Sequence, residues 1–139
     1  MSNITLTLET SSPYSCVILA KGENVIETVL IEGSSLGKEL LSVIRDLLSK
    51  HSLTLKNLFA IGIGIGPGSY TGIRLGALSA KTLSFASGIP LVSFCSLEAF
   101  IPNEEGPFIS VIDARSQGVY ALFREKKDDP RPLKPQKLT

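Results

Sequence analysis

The sequence predicts a mixed α/β lobe with a five-stranded sheet: three antiparallel strands, then two helices that each lead into a parallel strand, in the order β-β-β-α-β-α-β. Three observations carry this. Apolar residues recur at every second position across residues 4 to 32. They recur every three to four positions across residues 36 to 50. A glycine-rich corner, IGIGIGPGSYTGIRLG, then follows at residues 61 to 76.

Each element has its own justification. Ile4, Leu6 and Leu8 alternate with Thr5, Thr7 and Glu9, which makes a strand with one apolar face. Residues 10 to 13 turn, residues 14 to 20 form a second strand, and a turn at Gly22 leads to a third over 25 to 32. In residues 36 to 50, Leu36, Leu40, Leu41, Val43, Ile44, Leu47 and Leu48 share an arc of roughly 160°. Lys38, Glu39, Arg45, Asp46 and Lys50 fill the rest of the wheel, and Ser34 or Ser35 is placed to cap the start. Residues 58 to 65 form a strand whose Gly62 and Gly64 let something approach one face closely. The second helix, 70 to 86, is ended by Gly88 and Pro90, and a short strand follows at 91 to 94. Ser96 opens a brief helical turn before the breaker stretch 102 to 107. This order is the plan of the ribonuclease H-like lobe of the actin-like ATPase superfamily.

An internal echo follows. ITLTLETSSPYSCVILA at 4 to 20 aligns with FISVIDARSQGVYALFR at 108 to 124, each a strand ending in an acid (Glu9, Asp113), a polar turn and a second apolar strand. Residues 1 to 101 therefore read as a first lobe, and 102 to 125 as the opening hairpin of an incomplete second one. Residues 126 to 139, rich in charge and proline, read as a mobile tail. A lone two-stranded hairpin is marginal in water, so it is expected to pack back on the first lobe or on a second copy.

Composition narrows the function classes. Lys plus Arg (14) nearly balance Asp plus Glu (13), with no basic cluster outside the tail, so direct, strong RNA or DNA binding is disfavoured. Cys16 and Cys95 match no metal or redox spacing and read as buried free thiols. There is no signal-peptide pattern and no apolar run near the ~18 residues a membrane helix needs, so a cytoplasmic protein is expected.

The glycine corner fits none of the usual phosphate templates. From Gly62, Gly64 and Gly66 the sixth place of G-x-G-x-x-G holds Pro67, Ser69 and Thr71, and no G-x-x-x-x-G-K-[ST] occurs. A nucleophile elbow around Ser69 would need glycines where Pro67 and Thr71 stand. Ser35 to Lys38 matches S-x-x-K without its companion motifs. The single histidine, His51, excludes an H-E-x-x-H zinc site and reads as a solvated partner of the helix dipole. Glu9 and Asp113 read either as a carboxylate pair across a cleft or as strand-end acids bonding their own turns.

What remains is a sharp corner at Gly66, Gly68 and Ser69. Its amides open on a helix N-terminus, which suits an anion or close packing of helix on sheet. The helix behind it is apolar all round, with only Arg74 and Lys81 charged, and so is expected to be buried all round. Gly72, Gly76, Ala80 and Ser84, spaced four apart, leave a smooth groove for a partner helix or for residues 36 to 50 of the same chain.

The segment GPGSYTGIRLGALSAKTLSFASGIPLVSFCSLEAF at 66 to 100 resembles the GPGSFTGxRIG…AKGLA…VSSLEA segment of the TsaB family. LTLETSS and VIDARSQGVYALF are similar to that family's LALDTS and IDAR-x-x-E-VY, so the resemblance covers about residues 3 to 124. It implies a non-catalytic, non-enzymatic subunit, without a cofactor of its own, in making threonylcarbamoyl-adenosine at position 37 of ANN-decoding tRNAs. It implies pairing with the metal-holding catalytic subunit TsaD, with the ATPase TsaE joining them, and with tRNA met only indirectly. A homodimer is expected in isolation. The family pairs through two helices, which map onto residues 36 to 50 and 70 to 86. The candidate interface is therefore Leu40, Leu41, Ile44 and Leu48 with Gly72, Ile73, Gly76 and Ala80. Departures from the family are Glu9 in place of Asp, no histidine in the Gly33-Ser34-Ser35 stretch, and a chain well short of the family's usual length. The competing reading is an ATP-dependent phosphotransferase of the same superfamily. A metallopeptidase is nearly excluded by the single histidine.

Overall fold

A computed structural model describes residues 3 to 115, 118 to 129 and 136 to 138. Strands β1 (Ile4–Glu9), β2 (Tyr14–Lys21) and β3 (Asn24–Glu32) form the antiparallel meander. Helix α1 (Leu36–Lys50) leads to β4 (Ala60–Gly64), and α2 (Tyr70–Ser87) leads to β5 (Leu91–Phe94). β4 lies parallel to both β1 and β5, giving a five-stranded mixed sheet in the order β3-β2-β1-β4-β5. The α/β ribonuclease H-like plan read from the pattern is the one observed.

The alternation in the sequence decides what is buried. Leu6 and Leu8 of β1 sit opposite Leu19 and Val17 of β2 and Ile61 and Ile63 of β4, and all six are buried. Leu36, Leu40, Ile44, Leu47 and Leu48 of α1 close over this layer, joined by Ala80 of α2. Burying each such leucine or isoleucine contributes about 1.5–3 kcal/mol.

Two helix-end expectations change in detail, and a third holds. Ser35 occupies the N-cap of α1, but its hydroxyl makes no capping bond there. His51, expected to be solvated, lies against β3: its Nε2 is 2.7 Å from Glu27 Oε2, while Lys50 Nζ donates to Glu27 Oε1 at 2.7 Å. These contacts hold Glu27 below its ordinary carboxylate range, chiefly through the Lys50 and then the His51 hydrogen bond. Gly88 ends α2 as expected, in the left-handed conformation at φ 71°.

The larger correction concerns α2. A helix apolar on every side was expected to be buried on every side, yet Phe85 is 94% exposed, Tyr70 73% and Leu78 66%. The sheet and the β1–β2 turn take one side of α2, α1 takes a second, and nothing among the described residues covers the third.

The carboxyl-terminal part forms a second, three-stranded antiparallel sheet: β6 (Phe108–Asp113), β7 (Val119–Arg124) and β8 (Gln136–Leu138). The expected hairpin is thus wider than expected, because Leu138, Lys137 and Gln136 pair with Val119, Tyr120 and Ala121 of β7. Residues 136 to 138 are therefore strand, not free tail. Residues 130 to 135 and 139, also assigned to that tail, lie outside the described residues. Lys127 is tied to the Asn103 carbonyl at 2.7 Å and to Glu105 at 3.2 Å. The hairpin contacts the end of the first lobe, where Ser110 Oγ donates to the Phe100 carbonyl at 2.8 Å and Arg124 meets Glu98 at 3.4 Å.

Candidate docking face and the closed glycine corner

The glycines of residues 61 to 76 are explained by what a Cβ would strike. At Gly62 it would meet Thr7 Oγ1 at 2.9 Å, and at Gly64 it would collide with the Glu9 carboxylate. At Gly68, where φ is 154°, it would collide with the Ser11 carbonyl. At Gly72 it would run into the Thr10 carbonyl, and at Gly76 into Thr10 Oγ1, with Ile63 Cδ1 3.1 Å away. The missing side chains let α2 sit directly on the β1–β2 turn, and Thr10 Oγ1 donates to the Gly72 carbonyl at 2.8 Å.

Three of the corner's amides are engaged by the chain itself. Gly66 N donates to Ser96 Oγ at 2.9 Å, Ser69 N to the Ser11 carbonyl at 2.7 Å and Gly72 N to Ser69 Oγ at 3.2 Å. A loop built to cradle phosphate keeps such donors free. Here they fasten three segments together. Close packing of the helix on the β1–β2 turn is observed at this corner.

Glu9 and Asp113 behave alike. Glu9 Oε1 accepts from Ser11 N at 2.7 Å and Asp113 Oδ1 from Arg115 N at 2.8 Å, each acid bonding the amide two residues on. The echo in sequence is thus an echo in geometry. Glu9 is buried, and its Oε2, like the Ser11 and Ser15 hydroxyls, has no hydrogen-bond partner among the described residues. Asp113 is exposed. A cavity of about 300 Å³ lies between Gly68–Thr71 and the Asp113, Arg115 and Tyr120 side of the second sheet. Cys16, paired in register with Glu9, is partly buried and not disulfide-bonded, as is Cys95. Burial first and the Glu9 charge second push the Cys16 thiol up, which leaves it a poor nucleophile.

Most of the candidate interface set faces inward. Leu40, Ile44, Leu48 and Ala80 belong to the core, and Gly72 and Gly76 are covered by Thr10. The glycine groove is therefore filled by the β1–β2 turn; neither a partner helix nor α1 occupies it. Ile73 is partly buried, with its Cδ1 against Gly66. Only Leu41, 59% exposed, stands clear.

The exposed face lies nearly half a turn away, and the residues along it were missed. Tyr70, Arg74, Leu78, Lys81 and Phe85 are all exposed and follow one side of α2. A groove of about 450 Å³ runs along Arg74, Leu75, Leu78 and Lys81. A second, of about 370 Å³, lies between Leu41, Ile44, Leu48 and Leu83 where α2 meets α1. Arg74 stacks over the Tyr70 ring at 5.3 Å. Exposed aromatics, a leucine and an arginine on a rigid helix are the composition of a binding surface. The signal that could have found them is the spacing of Tyr70, Arg74, Leu78, Lys81 and Phe85 along one wheel sector.

Relatives of known name share this chain's pattern. The family model described as TsaD: tRNA N6-adenosine threonylcarbamoyltransferase matches residues 34–129. The tRNA threonylcarbamoyladenosine biosynthesis protein TsaB of Haemophilus influenzae is 32% identical over 135 residues, 91% of this chain and 57% of that protein. TsaB of Bacillus subtilis is 30% identical over 127 residues, 88% of this chain and 56% of that protein. The structure of YeaZ from Pseudomonas aeruginosa superposes with a TM-score of 0.81 at 26% identity, covering 99% of this chain and 67% of that one. The chain thus spans little more than half the length of these curated relatives. It belongs to the family described as TsaD: tRNA N6-adenosine threonylcarbamoyltransferase, and the relatives it is similar to there are TsaB and YeaZ proteins.

Proposed function

We propose that this chain is a non-catalytic pairing subunit in the biosynthesis of threonylcarbamoyladenosine in tRNA, docking a TsaD-like catalytic subunit through the outer face of α2. The observation that carries this reading is the exposed row of Tyr70, Leu78 and Phe85 on an otherwise well-packed helix. Its family membership names the pathway, through relatives that are TsaB proteins. The engaged amides of the glycine corner support a structural role for that corner. In this reading the chain works in the cytoplasm, beside a TsaE-like ATPase, and tRNA meets the assembly through the catalytic subunit. A homodimer would use the same face and compete for it.

The test is reconstitution. Catalytic subunit, ATPase, tRNA, ATP and threonylcarbamoyl donor are assayed for modified adenosine with and without this chain. Product that depends on the wild-type chain and is lost with Leu78→Asp supports the reading. Equal product without the chain refutes it.

A second reading, nucleotide-dependent phosphotransfer, is favoured by one observation. The buried Glu9 Oε2 lacks a partner, and the cavity lined by Thr71, Asp113 and Arg115 is polar. Titration calorimetry with ATP and magnesium separates the readings: micromolar binding abolished by Glu9→Gln supports phosphotransfer, and no heat excludes it.

A further inference from the structure

A strand at the edge of a sheet presents unpaired backbone donors and acceptors, and proteins ordinarily guard such edges. The two sheets end in β3 and β5, and in β6 and β8. β3 carries Glu27 and Glu32, β5 is four residues long behind Pro90, and β8 is three residues long. β6 has none of these guards. Its sequence FISVID is apolar on both faces up to Asp113, which is the pattern of a strand inside a sheet.

The place of β6 in the fold says the same. β6 aligns with β1 in the internal echo, and it pairs with β7 as β1 pairs with β2. β1 also has β4 on its other side. No described strand stands in that position beside β6. The backbone is set for one. Ala114 N donates to the Gly118 carbonyl at 3.1 Å, one step beyond the Asp113–Val119 pair. Bonding alternates along an antiparallel ladder, so Phe108, Ser110 and Ile112 turn their backbone groups to β7. Ile109, Val111 and Asp113 turn theirs to the open side. Ile109 and Val111 are 60% and 54% exposed. A cavity of about 510 Å³ lies beside them, walled by Phe100, Ile101 and Pro102.

We propose that the open edge of β6 takes β6 of a second copy of this chain, antiparallel about a two-fold axis at Ser110, so that the two three-stranded sheets become one. In this register Ile109 and Val111 of the second copy lie opposite each other and exchange both N–H···O bonds, and Phe108 lies opposite Ile112. Each copy supplies what the other's edge requires, an extended strand that is apolar on both faces and uncharged until its end. The flanks agree in charge: beyond the paired strands, exposed Arg115 of one copy is carried toward exposed Glu104 of the other. The contact lies away from α2 and does not rest on the docking face proposed above. It is small, and its dissociation constant should fall at ~10–100 µM.

The test is run in the Leu78→Asp chain, so that association through α2 is suppressed. Sedimentation velocity from ~5 to ~500 µM spans the expected dissociation constant, with amide hydrogen exchange measured at both ends of that range. A dimer should form with rising concentration, and the Ile109 and Val111 amides should exchange at least about tenfold more slowly in it. Val111→Pro removes an N–H that faces the open side without removing a bond to β7. Val111→Lys keeps the N–H and sets a charge on the edge instead. Both variants should melt as the parent chain does at low concentration, stay monomeric and show no added protection at Ile109. A parent chain that is monomeric throughout the range overturns the proposal, even if its edge binds an unrelated extended peptide. A dimer that survives both substitutions overturns it as well, as does one in which Ile109 and Val111 exchange at the monomer's rate.

Discussion

Along α2, Gly72, Gly76 and Ala80 look onto the β1–β2 turn and β4, while Tyr70, Leu78 and Phe85 look into solvent. The inner face gives up side chains so that backbone can touch backbone. The outer face keeps large side chains that stay mostly exposed. Glycine in a helix is about 1 kcal/mol worse than alanine, so the inner face accepts an intrinsic penalty for contact with Thr10. Exposed apolar side chains gain nothing from the fold, so the outer face needs another reason for its residues. The difference teaches that small residues on this helix mark the fold; in the function proposed above, the large ones mark the partner.

The comparison breaks most severely at Gly72. A side chain there meets a backbone carbonyl, which cannot rotate away, so Gly72→Val should destabilise by at least about 3 kcal/mol. Circular dichroism melting checks this, and a midpoint near wild type would show that α2 does not rest on Thr10. Gly76→Ala meets a side-chain hydroxyl instead and should cost about 1–3 kcal/mol. Because the obstruction is the Thr10 side chain, Thr10→Ala should recover part of that loss. A double variant no better than the sum of the singles would place the strain elsewhere. Smaller still is the staple between β3 and the end of α1. Glu27 titrates below its ordinary value of 4.5 in the folded chain, so it binds protons less readily folded than unfolded. Its contribution is therefore present above that value and lost as pH falls through its lowered folded value. Melting of wild type and Glu27→Gln should differ near neutrality and converge in acid; a constant difference would remove Glu27 from the pH dependence.

Much of this was legible in the sequence because the local signals were unambiguous. Alternation set Leu6, Leu8, Val17 and Leu19 on one face, and the arc from Leu36 to Leu48 gave α1 its observed limits. Gly88 marked the end of α2 by its conformation. The glycine corner was legible as a close-packing device, but not its target. Thr10, more than 60 residues away in sequence from Gly72, is brought there only by the order of strands. The same limit misdirected the interface. Spacing placed Gly72, Gly76 and Ala80 on one side of α2, and period alone does not say whether a side faces in or out. Nor does composition separate an all-apolar helix that is enclosed from one with a third side left open. β8 went unread because three exposed residues, Gln136 to Leu138, carry too short a pattern among charges and prolines.

The measurement that tests the central claim most directly takes Gly76→Ala and Leu78→Asp side by side, melting each chain and measuring its capture of a TsaD-like catalytic subunit well below the melting midpoint. The account predicts a clean exchange. Gly76→Ala should melt lower yet still capture the partner, whereas Leu78→Asp should melt within about 0.5 kcal/mol of wild type and capture none. Capture by Leu78→Asp at wild-type level would contradict it, as would loss of capture by Gly76→Ala while that chain remains folded.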